Sequence, residues 1–209
     1  MKNYLCWIML RCLFGLSPLA AQIPADCATA FPLGDKSFLH FNVHEGIGKV
    51  KDALHVPCFM NGENFGQAET NSTWIYFKIK EAGELTFIIS PDYPGDDIDF
   101  VLYQLPESGD CDHKKIVRCM AAGDSENAIN SPCMGQTGLK NKEKDTSEDA
   151  GCSDSGDNNW LKPLDAGAGE SYVLLVSNLT APGGFVIYFR GSALLEPNQP
   201  PSAPEAGKE

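Results

Sequence analysis

The chain has 209 residues, of which 28 are acidic and 16 are basic, so its formal net charge at pH 7 is −12. A surface of this sign repels phosphate backbones and anionic membranes, and it attracts cations and basic partners. The composition therefore argues against a nucleic-acid ligand.

The N-terminus has the composition of a secretory signal. Lys2 precedes an apolar run that reaches Leu19 with one interruption at Arg11, and small residues follow through Ala21. A positive, then an apolar, then a small-residue segment predicts cleavage after Ala21. No later segment has the roughly 20 apolar residues of a membrane span, so we expect no transmembrane segment after cleavage. The chain is expected to be exported, either extracellular or at the outer cell surface.

Six cysteines follow the predicted cleavage site. An even number of cysteines in an exported chain predicts a disulfide framework, although it does not determine the pairing. We expect local pairs, each of which closes one loop: Cys27 with Cys58, Cys111 with Cys119, and Cys133 with Cys152.

Alternating apolar and polar residues predict a series of short strands. The arm between Cys27 and Cys58 contains a predicted strand at Ser37 to Val43. From Glu69 to Leu105 the alternation runs in three segments, with a turn at Ala82-Gly83 and a proline-rich break at Pro91 to Gly95. Successive strands joined by short turns predict an antiparallel meander.

An acidic cluster lies around the break between the second and third of these strands. Asp97 and Asp99 occupy the same face of one predicted strand, so their carboxylates can converge on a hard cation such as calcium. The predicted calcium ligands are Glu69, Asp92, Asp96, Asp97 and Asp99. The alternative is a solvated acidic turn at the mouth of a strand, since no EF-hand loop is present.

A long segment without periodicity follows a predicted strand at Lys115 to Met120. Residues 121–159 are rich in Gly, Ser, Asn, Asp and Lys. An insertion of this length in a compact domain is expected to be functional or held by covalent links. Trp160 comes directly after it. An exposed indole at this position would stack on a sugar or anchor a protein partner, whereas a buried one would close the core.

The C-terminal part predicts two further strands, Ser171 to Ser177 and Gly184 to Arg190, joined as a hairpin through Asn178 to Gly183. Roughly seven to eight short strands without an amphipathic helix predict an all-β fold, an antiparallel jelly-roll-like β-sandwich with a long disulfide-linked loop. We expect this domain to span 22–195, after a signal peptide at 1–21. The proline-rich segment 196–209 is expected to be a disordered tail or a linker.

Parts of this pattern resemble the bacterial pre-peptidase C-terminal domain family. The resemblance depends on an aromatic-rich strand, an A-G-x-L-T turn and the sequence D-D-I-D-F-V-L-Y, at Trp74, Phe77, Ala82, Gly83, Leu85, Asp97, Asp99, Val101, Leu102 and Tyr103. The C-M-A-A-G and S-P-C-M-G-Q-T-G-L stretches are similar to a cysteine-containing variant in adhesin-like surface proteins of gliding bacteria. The resemblance implies a noncatalytic β-sandwich module, and some members of the family bind calcium and a protein ligand.

The sequence therefore predicts a noncatalytic accessory or binding module at the cell surface, with a protein or glycan ligand and structural calcium. One alternative is a secreted hydrolase with its site in the insertion at 121–159, and another is a structural spacer domain. The sequence shows no convergent set of titratable residues of the kind that an active site requires, which favours the noncatalytic module.

Overall fold

The computed structural model describes residues 24–42, 45–59, 68–123, 133–152, 156–180 and 183–197. Within these ranges the regular structure consists of thirteen strands and three single-turn 3₁₀ helices, which confirms the predicted all-β class. The predicted signal peptide and the tail beyond Pro197 lie outside the described residues. The strands are β1 (Phe31–Leu33), β2 (Leu39–Phe41), β3 (Ser72–Glu81), β4 (Gly83–Pro91), β5 (Ile98–Leu105), β6 (Lys115–Met120), β7 (Thr137–Leu139), β8 (Ser147–Glu148), β9 (Trp160–Leu161), β10 (Leu164–Ala166), β11 (Ser171–Asn178), β12 (Phe185–Gly191) and β13 (Leu194–Leu195).

The strands form two sheets. The first sheet has the order β1-β3-β11-β5-β6-β8, and β13 also pairs with β3. The second has the order β2-β12-β4-β7-β9, and β10 also pairs with β4. The pairs β1-β3, β6-β8 and β7-β9 are parallel, and the remaining pairs are antiparallel. The apolar residues of both sheets meet in one core, so the two sheets form a β-sandwich.

The predicted meander from Glu69 to Leu105 is wrong, because β3 and β5 belong to the first sheet and β4 belongs to the second. The corner after β3 brings Gly83 so close to the C-terminal part of the chain that a Cβ would lie 2.6 Å from the backbone nitrogen of Ala193. Glycine permits this close approach. Alternation identifies the buried face of each strand, but it does not identify the strand with which it pairs.

The predicted C-terminal hairpin is wrong for the same reason, since β11 lies in the first sheet and β12 in the second. The strand expected at Ser37 to Val43 is shorter and corresponds to β2, and Val43 lies outside the described residues. The strand expected at Lys115 to Met120 is confirmed. The insertion at 121–159 contains β7 and β8, although residues 124–132 and 153–155 lie outside the described part.

The first sheet is buried on both of its faces. One face packs against the second sheet, where Phe100 contacts Phe87 and Phe77 contacts Phe189, with ring centroids 5.2 Å and 5.3 Å apart. The other face is covered by the N-terminal arm, and there Trp74 stacks on Tyr103 at 5.8 Å. The outer face of the second sheet is thus the sandwich face that the arm leaves uncovered.

Three disulfides join the six predicted cysteines: Cys27–Cys111, Cys58–Cys119 and Cys133–Cys152. The pair Cys133–Cys152 is confirmed, whereas the predicted local pairs Cys27–Cys58 and Cys111–Cys119 are wrong. The first two bridges connect the arm to β6 and the turn before it, across the outer face of the first sheet. They hold the arm in place instead of closing local loops. In the described part of the chain, no helix is long and apolar enough to cross a membrane.

Candidate functional site

The five predicted calcium ligands do not form one cluster. His40 Nε2 lies 2.9 Å from the carboxylate of Asp92 at the surface. Asn178 Nδ2 donates to the carboxylate of Asp96 at 2.9 Å. The carboxylate of Glu69 accepts a hydrogen bond from a backbone N–H of the arm at 3.2 Å. Three of the five carboxylates are therefore bound to protein groups at separate places.

Asp97 and Asp99 are the two that the structure brings together. Both are buried, with 7% and 1% of their surface exposed. Burial and, after it, the charge of Asp97 raise the pKa of Asp99 well above its ordinary value. Among the described residues, neither carboxylate oxygen of Asp99 has a hydrogen-bond partner. The backbone of Gly123 packs directly on the carboxylate of Asp97, since a Cβ added to Gly123 would lie 2.1 Å from Asp97 Oδ1.

A buried carboxyl group without donors is stable either in its protonated form or beside a cation. Across the described ranges, no three His, Cys, Asp or Glu side chains are grouped closely enough to hold a metal ion. A cation held by Asp97 and Asp99 would therefore complete its shell with backbone carbonyls, hydroxyls or water, which are oxygen ligands that calcium accepts.

Glu69 belongs to a different buried group, on the outer face of the first sheet. Burial raises the pKa of Glu69, and burial together with the charge of Glu69 raises the pKa of Tyr103. Lys114 Nζ lies 5.4 Å from the ring centroid of Tyr103 and 5.8 Å from that of Trp74, and burial lowers the pKa of Lys114. Because the disulfide-bound arm covers these side chains, they act in packing and are closed to a large ligand.

Trp160 lies in a cleft on the outer face of the second sheet. Its neighbour Leu161 enters the core, so the indole points the other way and is half-buried. The cleft has a volume of about 350 Å³. We call it the Trp160 cleft, and its lining residues are Thr86, Phe87, Ile88, Gln136, Leu139, Lys140, Asn141, Trp160 and Arg190.

Two cations lie over aromatic rings at this face. Lys140 Nζ is 4.9 Å from the ring centroid of Trp160, and the guanidinium carbon of Arg190 is 4.9 Å from that of Tyr188. Neither cation forms an ion pair with any residue that the structure describes. Among the described residues, none of those lining the cleft is acidic. In a chain with a net charge of −12, this cleft is locally positive.

Sequence reasoning identified Trp160 but missed the residues around it. The inward-facing Phe185, Ile187 and Phe189 imply that Tyr188 and Arg190 point outward, so this part of the cleft could have been found from the alternation in β12. Lys140 and Gln136 could not have been found in that way. They reach the cleft because β7 pairs with β4, which is far from it in sequence.

A larger cleft of about 650 Å³ lies at one end of the first sheet. Three of its five charged lining residues, Lys78, His113 and Glu170, are paired with protein groups, while Glu107 and Lys115 form no ion pair with a described residue. Lys78 forms an ion pair with Glu196 at 3.1 Å, and the Tyr172 hydroxyl donates to Glu170 at 2.5 Å. The Trp160 cleft, with its unpaired cations and half-buried indole, is the better candidate for binding a ligand.

No protein-family model and no curated protein matches the chain. Among solved structures, the chain is similar to a surface-associated copper-binding protein important for copper acquisition in Methylomicrobium album BG8. The two share 10% identity, and the TM-score is 0.38 over 77% of this chain and 97% of the other. A likeness at this level assigns neither a function nor a metal to this chain.

Proposed function

We propose that this protein is an exported, noncatalytic binding module that holds its ligand in the Trp160 cleft. Three disulfides are typical of a chain that folds in an oxidising compartment. The observation that carries the proposal is the half-buried indole between outward-pointing polar side chains, beside two cations that form no ion pair with any described residue. Concave sites with an aromatic side chain and a few polar groups are the usual form of a ligand site.

We also propose that the chain is related to the bacterial pre-peptidase C-terminal domains. Such a relationship would make it an accessory module of a surface protein, with a protein or glycan as the ligand. The two-sheet architecture is consistent with this relationship. Fold alone does not transfer a ligand from one protein to another, so the ligand is argued from the cleft.

The noncatalytic role is supported by where the perturbed acids lie. Burial raises the pKa of Asp99, Glu69 and Glu148, and groups of this kind are candidates for acid-base chemistry. Among the described residues, however, none of these three lines the Trp160 cleft. Glu148, which lies in the insertion, accepts hydrogen bonds from the backbone N–H groups of Asn158 and Asn159 at about 3 Å and so closes the loop.

Ligand screening with matched aromatic variants tests the binding role. The wild-type chain is screened against glycan and extracellular-matrix protein arrays, beside Trp160→Ala and Tyr93→Ala. Tyr93 is an exposed aromatic residue in the loop between β4 and β5, outside the cleft lining. We expect binding by the wild type and by Tyr93→Ala, and its loss in Trp160→Ala. Full binding by Trp160→Ala would contradict the proposal that the ligand binds in the Trp160 cleft.

We further propose that calcium binds at Asp97 and Asp99 and stabilises the module. The support is the buried Asp99 carboxyl, whose two oxygens lack donors among the described residues. Saturating calcium at about 100 times Kd would stabilise the fold by about 2.7 kcal/mol. We expect calcium to raise the Tm of the wild type and of the control Asp92→Asn, but not that of Asp99→Asn. An unchanged wild-type Tm between calcium and chelator would refute the calcium site.

A further inference from the structure

We infer that the Trp160 cleft binds a polysaccharide whose sugar rings carry carboxylates, that is, a uronic acid polymer. The inference rests on the proposed function and names its ligand class. It combines two features of the cleft: its positive charge in an acidic chain, and side chains suited to a polar ring.

The charge of the cleft favours an anionic ligand. Lys140 and Arg190 approach the same cleft from β7 and β12, and neither is neutralised by a carboxylate of the described chain. The acids Glu84 and Asp165 face one another across β4 and β10 and are not among the lining residues. A guanidinium and an ammonium bind carboxylates through charge-assisted hydrogen bonds, which are stronger than neutral ones.

The polar side chains of the cleft fit a sugar. Thr86, Gln136 and Asn141 are neutral groups that can exchange hydrogen bonds with hydroxyls. The Trp160 indole offers an apolar surface to the C–H side of a pyranose ring once the Lys140 ammonium, 4.9 Å from the ring centroid, turns from the ring to a ligand carboxylate. Gln136 is already oriented by a hydrogen bond from its Nε2 to Ser90 Oγ at 2.8 Å. The cleft therefore presents a ring surface, hydroxyl partners and charge together.

The position of the cleft argues against a peptide added as a strand. It lies on the face of the second sheet, where β4 is paired with β12 on one side and with β7 on the other. The backbone groups of β4 are used within the sheet, and the only sheet edge that the described lining reaches is β9, the two-residue strand that carries Trp160. An edge of two residues offers too few backbone groups to hold an extended peptide. Recognition there must come from side chains. The net charge of −12 opposes any long polyanion, polyphosphate and polyuronate alike, so binding of a uronic acid polymer must come from the local contacts of Lys140 and Arg190.

Affinity electrophoresis and calorimetry with polygalacturonate test the inference, with carboxyl-reduced polygalacturonate as the neutral counterpart. Arg190→Gln and Lys140→Gln each remove one charge from the cleft. Lys115→Gln is the control at a separate site, since Lys115 is exposed on β6 in the first sheet and lines the larger cleft there. We expect the wild type and Lys115→Gln to bind the acidic polymer. Each cleft variant should bind it roughly tenfold more weakly.

Three results would overturn the inference. Equal binding of the acidic and reduced polymers would show that the carboxylates are not recognised, while binding in the cleft, and with it the proposed function, would stand. Equal weakening by Lys115→Gln and Arg190→Gln would show general ionic attraction. No binding of any uronic acid polymer, with a protein ligand captured through Trp160 instead, would replace the ligand class and leave the binding module intact.

Discussion

Removal of the Cys27–Cys111 bridge tests whether the arm is held by two long-range disulfides. In the chain-entropy model, a bridge stabilises the fold by limiting the unfolded chain, and the effect grows with the length of the closed loop. Cys27 and Cys111 are 84 residues apart in sequence, so as the sole link this bridge would contribute about 4.6 kcal/mol.

The loops closed by the two arm bridges overlap in sequence, which lowers the contribution expected from Cys27–Cys111. With Cys58–Cys119 intact, the shorter path from Cys27 to Cys111 runs through that bridge and covers only about 40 residues. The double variant Cys27→Ala/Cys111→Ala should therefore lose about 4 kcal/mol of unfolding free energy. Removal of both arm bridges should cost about 8 to 9 kcal/mol, which is comparable to the whole stability of a typical domain.

Guanidinium unfolding of the oxidised proteins measures these losses. The matched control is Cys133→Ala/Cys152→Ala, whose bridge spans 19 residues and should cost about 3.2 kcal/mol. Trp74 fluorescence should change when the arm detaches, because its indole is buried beneath the arm. A loss below about 1 kcal/mol in the first variant would refute the entropy argument. A nonreducing peptide map that links Cys27 to Cys58 would refute the connectivity.

Two further substitutions test the packing of the sandwich. Arg118→Ala should lower the free energy of unfolding in urea by about 2 to 4 kcal/mol. The reason is that Arg118 Nε donates to the carbonyl of Lys162 at 2.8 Å and Nη2 donates to that of Pro163 at 2.5 Å. A loss of less than about 0.5 kcal/mol would contradict the importance of these contacts. Burial raises the pKa of Glu148 above 4.5, so at pH values between the unfolded and folded pKa the folded state binds more protons. Stability should then fall as pH rises through that window, by at most about 1.4 kcal/mol per pH unit, and Glu148→Gln should flatten the profile.

Local patterns in the sequence were sufficient to predict the strands of six or more residues, whereas the short strands β1, β7, β8, β9, β10 and β13 were not predicted. The alternation in β4 and β12 places Phe87, Ile89, Phe185 and Ile187 on the faces that the structure buries, because side-chain direction depends only on position within a strand. The partner of each strand depends on contacts between distant segments. A short turn such as Ala82-Gly83 can close a hairpin or pass between sheets, and the residues at the turn do not distinguish the two.

For the cysteines and the candidate site as well, the residue types could be predicted from the sequence, but the contacts between distant segments could not. Their even number predicted the bridges, but the arm pairs Cys27–Cys111 and Cys58–Cys119 depend on how the arm lies over the first sheet. The acids were predicted to meet because they are close in sequence, yet His40 and Asn178 bind two of them separately. Trp160 was identified as a single large aromatic residue, while its cleft required the pairing of β7 with β4.

The contact between Lys78 and Glu196 has a practical consequence for attaching the protein to a surface. Lys78 lies in β3 of the first sheet, and Glu196 follows β13, so Glu196 and Pro197 lie on the side of that sheet. A tag or linker joined after Pro197 would leave the outer face of the second sheet directed toward solution. Random coupling through amines would instead modify Lys140 and block the Trp160 cleft.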